Sequence, residues 1–155
     1  MGMVLRGFAA IVMLAALLLP TSVSSAPYGV GNEANEGCLC HTPMDETKLS
    51  VDGFPSKYEA NTPYEMTLSL SSPVGIEANQ SQGGFRMTVS NGTLLFNDTE
   101  AQEMDGGWTH LENGTYQRSW DFSWTSPDDN SSRTEFTVHG NAVNGNGLQT
   151  GDGWS

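Results

Sequence analysis

The sequence predicts an all-β chain: an antiparallel β-sandwich preceded by an irregular segment that carries a cysteine and histidine cluster. Apolar and polar residues alternate with period two along several short runs, which puts one face of each run in a core. Clusters of Gly, Pro, Asn and Asp separate those runs as a sandwich or barrel requires. No window of a dozen residues shows a helical repeat.

Met1 to Arg6 form a short positive start, Gly7 to Leu19 an apolar run of about 13 residues, and Pro20 to Ala26 a small, polar stretch. Val23 and Ser25 stand where the small residues before a cleavage point belong, so residues 1–25 read as a secretory signal peptide. The apolar run is shorter than the roughly 20 residues that span a bilayer as a helix. Residues 26–47 hold Pro27, Gly29, Gly31, Gly37 and Pro43 without apolar periodicity, and read as a loop segment. The sandwich is expected over 48–155. Tyr64, Met66, Leu68 and Leu70 alternate with Glu65, Thr67 and Ser69; Phe85, Met87 and Val89 repeat the pattern. Trp120, Phe122 and Trp124 follow, then Thr134, Phe136 and Val138. These aromatic and methionine stripes are expected to be core packing. Turns are expected at Asn61-Thr-Pro, Gly83-Gly84, Asn91-Gly92, Asn113-Gly114, Pro127-Asp-Asp-Asn and Gly140-Asn141, with the two Asn-Gly pairs as two-residue hairpins.

The chain has 18 acidic and 6 basic side chains; without Arg6 in the leader the balance is 5 − 18 = −13. Such a surface repels phosphate backbones and anionic lipid, which excludes nucleic acid as a partner and leaves membrane attachment only through an anchor or an uncleaved leader. No nucleophile elbow, zinc-protease helix or phosphate loop occurs, so no enzyme is expected. The acids at Asp128-Asp129, between Glu100 and Asp105, and at Asp152 lack the spacing of a calcium loop and read as a solvated face. Sequons at Asn79, Asn91, Asn97, Asn113 and Asn130 are compatible with export and glycosylation.

The order of motifs resembles the reeler-like group of secreted or cell-surface domains, which includes the choice-of-anchor V type. The matching pieces are Gly37-Cys-Leu-Cys-His41, Tyr58-Glu-Ala-Asn-Thr-Pro-Tyr64, Gly83-Gly-Phe-Arg-Met-Thr-Val89 and Trp108-Thr-His110. Then come Trp120-Asp-Phe-Ser-Trp-Thr-Ser-Pro127 and Phe136-Thr-Val-His-Gly-Asn-Ala-Val-Asn-Gly-Asn-Gly147, with Gly151-Asp152. The resemblance implies an immunoglobulin-like sandwich displayed outside the cell, often with a sorting or membrane anchor after the domain; the expected partner is an unknown extracellular ligand or redox partner. It differs in two places. Members commonly carry the Cys-x-x-Cys-His of c-type haem attachment, whereas only Leu39 separates Cys38 from Cys40. The chain also ends at Gly151-Asp-Gly-Trp-Ser155, where a last strand, linker and anchor are expected, so the sequence reads as a fragment.

Three readings of Cys38-Leu-Cys-His41 stay open. In the first, a haem c is bonded through Cys40 with His41 as axial iron ligand, Cys38 being one residue too close for a standard second thioether. His110, His139 or Met104 are then the candidates for the opposite face. In the second, two thiolates and an imidazole hold another metal, such as zinc or copper, with a distant fourth ligand. In the third, the pair forms a disulfide within the Cys-x-Cys loop, in a strained small ring, or a bridge to another chain, since exported thiols rarely stay reduced. The leading function is an exported cell-surface binding module that carries a haem or not; the alternative is a small extracytoplasmic electron-transfer domain.

Overall fold

Among the described residues nine strands form two antiparallel sheets whose facing sides are filled by the alternating apolar residues. The computed structural model describes residues 26–130 and 132–155. The leader lies outside the described residues, as does Ser131 within the Asn130 sequon.

Chain order gives β1 (Lys48–Asp52), β2 (Pro63–Ser71), β3 (Gly83–Val89), β4 (Thr93–Phe96), β5 (Ala101–Met104), β6 (Gly107–His110), β7 (Ser119–Thr125), β8 (Phe136–Ala142) and β9 (Gly153–Trp154). One sheet runs β1-β2-β7-β4 and the other β5-β6-β3-β8-β9. The long pairings set the register: Met66 faces Phe122 and Leu68 faces Trp120 across β2 and β7, while Phe85 faces Gly140 and Met87 faces Val138 across β3 and β8. A slip of one residue would turn every one of these side chains to the wrong face. Phe85 then reaches across the interior, with ring centroids 4.9 Å from Trp120 and 5.0 Å from Phe96. Phe96 stacks on Phe122 at 4.8 Å, and Phe136 meets Trp124 edge-on at 5.3 Å. Each indole nitrogen in this core finds a carbonyl: Trp120 Nε1 donates to Gly114 O and Trp124 Nε1 to Asn91 O. The sandwich and its aromatic interior are as expected.

Several expected turns are not turns. Gly83-Gly84 and Gly140-Asn141 lie inside paired strands, Gly84 opposite Asn141. Glycine stands there because neighbours come close: a Cβ at Gly84 would meet the His110 ring, and one at Gly140 the Leu49 side chain. Asn113-Gly114 belongs to a short 3-10 helix, Glu112–Tyr116, and makes no hairpin. Asn91-Gly92 is a turn, but it leads from β3 in one sheet to β4 in the other. The tight two-residue hairpin is Asp105-Gly106 between β5 and β6, both residues at positive φ (47° and 70°). Gly153–Trp154, placed by the sequence short of a last strand, is itself one, at the edge of the five-stranded sheet.

Candidate functional site

Residues 26–44 form no strand of their own, yet they cross the outer face of the five-stranded sheet from β6 to β9. At one end, His110 Nε2 donates to Ala26 O (3.1 Å) and Val30 N donates to Thr109 Oγ1 (3.0 Å). In the middle Arg86, only 1% exposed, donates from Nε to Asn35 Oδ1 and from its two terminal nitrogens to Met104 O and Asp105 O. This guanidinium joins the crossing segment to the β5–β6 hairpin, and burial lowers its proton affinity while Asp105 and Glu33 oppose that. His139 Nε2 donates to Asn35 O (3.0 Å).

At the far end the segment reaches the Cys-His cluster, and β9 holds it. Trp154 Nε1 donates to His41 O (3.1 Å), Trp154 N to Thr42 O, and Met44 N to Trp154 O. Pro43 and Trp154 make a parallel bridge, so the segment adds itself briefly to the edge of the sheet. The Trp154 ring lies on Gly37, whose φ of +122° and missing Cβ are both required there. Between these anchors His41 N donates to Cys38 O (2.8 Å) and closes a tight turn with Leu39 and Cys40 at its corners. Leu39 is 70% exposed and Cys40 is exposed, whereas Cys38 is partly buried. Burial, and secondarily the neighbouring Cys40, push the Cys38 thiol up to about 12, so it stays protonated at neutral pH. The two thiols are not joined.

Asp152, counted from the sequence among solvated acids, is 5% exposed and faces this cluster. Its Oδ2 lies 3.1 Å from His41 Nδ1, off the line of a good hydrogen bond, and its Oδ1 accepts from Asn144 N at 3.0 Å. Burial raises the carboxyl above its ordinary range, against the Asn144 amide and His41. The carboxyl therefore stands behind one imidazole nitrogen as a close neighbour and not as a hydrogen-bonded partner. Only the tertiary contact between residues 41 and 152 reveals this neighbour.

The candidate opposite-face ligands are elsewhere. His110 is buried, with Nδ1 accepting from Phe85 N (3.1 Å) and Nε2 spent on Ala26 O; burial lowers its pKa, so it is neutral. It sits on β6, three strand spacings from β9, roughly 14 Å. His139 touches Trp154 edge-on at 6.0 Å, but its Nε2 is occupied by Asn35 O. Met104 lies on β5, at the other edge of the sheet. Among the described residues no group of three His, Cys, Asp or Glu side chains is placed to hold a metal ion. On the turn Cys40 is exposed beside a half-buried His41, and Cys38 is only partly accessible for a second thioether. Asn79, Asn91, Asn97, Asn113 and Asn130 are all exposed. Among the described residues no helix is long and apolar enough to cross a membrane.

No family model matches the chain, and no curated protein does. Solved structures similar to it include the human F-spondin reeler domain, fragment 1, at 19% identity over 66% of this chain and 79% of that one, TM-score 0.45. Fragment 2 of the same domain is 20% identical over 67% and 82%, TM-score 0.44. The Reelin-N domain of F-spondin is 21% identical over 66% and 75%, TM-score 0.43.

Proposed function

We propose that the chain is an exported β-sandwich interaction module that binds a partner outside the cell through the edge loop Gly37–His41. One observation carries this reading: the chemically distinctive residues are displayed on a turn clamped to β9, while the interior is filled by aromatic packing. Two surface hollows among the described residues are open grooves, one lined by Asp52, Gly53, Glu65, Met66, Thr67 and Asp121, the other by Phe54 and residues 133–137. Neither has the enclosed, mostly apolar shape of a small-molecule site.

Asp152 behind His41 favours a second reading, a haem bonded through Cys40 with His41 as its axial ligand. When bound, that group would supply one-electron redox chemistry; Asp152 would orient the imidazole and Trp154 would hold the turn. One preparation separates the two. Protein secreted from a host with haem-attachment machinery is examined by absorption, then labelled and added to cells of the source organism. The interaction module predicts no Soret band after denaturation, together with saturable surface binding that Leu39→Ser weakens. A Soret band that survives denaturation and disappears in Cys40→Ala establishes the second reading. Binding that neither saturates nor responds to Leu39→Ser overturns the first.

A further inference from the structure

We propose that Cys40 is a covalent attachment site: it takes up one half of a partner's disulfide by thiol–disulfide exchange and keeps it, because Cys38 is held back from releasing it. The proposal deepens the interaction-module reading and rests on it.

The asymmetry of the thiol pair is built by the fold. The hydrogen bond from His41 N to Cys38 O puts Leu39 and Cys40 at the outer corners of the turn and Cys38 at its inner end. Trp154 holds both flanks, with its ring on Gly37 and its indole N–H on His41 O, and Asp152 lies 3.1 Å from His41 Nδ1. The turn therefore presents one accessible thiol beside one exposed apolar side chain, and cannot easily swing the second thiol out.

The chemistry balances without a further reagent. The Cys40 thiolate, its proton lost to water, attacks one sulfur of a partner disulfide; the Cys40–sulfur bond forms, the partner's bond breaks, and the other sulfur leaves as a thiolate. In a redox-active dithiol the second cysteine would then attack the mixed disulfide and expel the partner. Here that attack requires a partly buried sulfur at the inner end of a clamped turn and would close a ring across a single intervening residue, with strained geometry. The mixed disulfide therefore persists. Disulfides are the prevailing thiol form outside the cell, so the co-reactant class suits an exported chain.

Charge narrows the partner. The net charge is −12, Glu36, Asp45 and Glu46 flank the turn in the chain, and Arg86 and Arg118 donate inward to carbonyls. The exposed cations among the described residues are Lys48, Lys57 and Arg133. The preferred disulfide is one set among basic groups.

The test uses the reduced mature protein and two probes: cystamine, a cationic disulfide, and oxidised glutathione, an anionic one, with adducts located by mass spectrometry. The expected result is one lasting adduct on Cys40, formed at least about tenfold faster with cystamine at low salt, with the preference collapsing in about 1 M salt. Cys38→Ser should keep the adduct and Cys40→Ser should lose it. An adduct on Cys38, conversion of the adduct to a Cys38–Cys40 ring, or no preference for the cationic probe overturns the proposal. Cell binding by Cys40→Ser, measured in parallel, keeps the readings apart: retained binding with no adduct on wild type leaves the interaction module standing and removes the tether.

Discussion

Arg86, His110 and Asp152 are buried polar side chains, and the fold supplies partners to each. Arg86 spends its donors on two carbonyls and an amide oxygen; His110 uses one nitrogen as acceptor and the other as donor. Asp152 is the uneasy member, since burial costs its charged form more than Asn144 and His41 return. The sign of the consequence follows. A carboxyl raised in the native state binds its proton more tightly folded than unfolded. Its contribution is complete below the ordinary value near 3.8 and is lost as the pH climbs through the raised one. Asp152→Asn should remove that slope, so the urea midpoint of the variant, relative to wild type, should improve as the pH rises from about 3 to about 7. A relative midpoint that stays flat or moves the other way would show that the carboxyl is not raised.

At the scale of elements, the least regular piece does the most joining. The segment 26–44 has one short 3-10 turn, Asn32–Ala34, and otherwise no repeating structure, yet it contacts β6, β3, β8 and β9 in succession. The two-residue β9 is its principal anchor. Replacing Trp154 by Ala removes the indole donor and the ring over Gly37 while leaving β2, β3 and β7 untouched. Amide exchange at Gly37 and His41 should then accelerate at least about tenfold, while Leu68 and Met87 keep their protection. Equal acceleration in the core strands would mean that β9 supports the whole sandwich and not only this segment. Alternation made β2, β3, β7 and β8 readable from the sequence because each is long enough to show period two. The four-residue β4, β5 and β6 were too short for that signal, and β1 lies half-exposed. The glycines of β3 and β8 imitated turns, since nothing local distinguishes a glycine needed for φ from one needed for room.

For the whole molecule, charge and packing oppose each other. The aromatic interior draws the two sheets together, while the acidic surface, with two of its arginines turned inward, repels itself. Screening should therefore stabilise the fold: the thermal midpoint is expected to rise between about 10 mM and about 0.5 M sodium chloride. A midpoint that falls over this range would place the surface charges in stabilising pairs. The Arg133–Glu135 pair is exposed and the His41–Asp152 pair depends on protonation, so neither of these offsets the imbalance.

The sequence by itself determined the class of the fold, its interior stripes and the singular cysteine pair, because period-two alternation and residue spacing are local properties that a linear chain displays. It also marked Cys38, Cys40 and His41 as the residues to watch. Tertiary structure alone decided which thiol is presented, that Asp152 stands behind His41, that His110 is a core residue with both nitrogens in use, and that Arg86 clamps the crossing segment. Each of these depends on residues far apart in sequence meeting through sheet pairing, and on the burial that results, which no local pattern records.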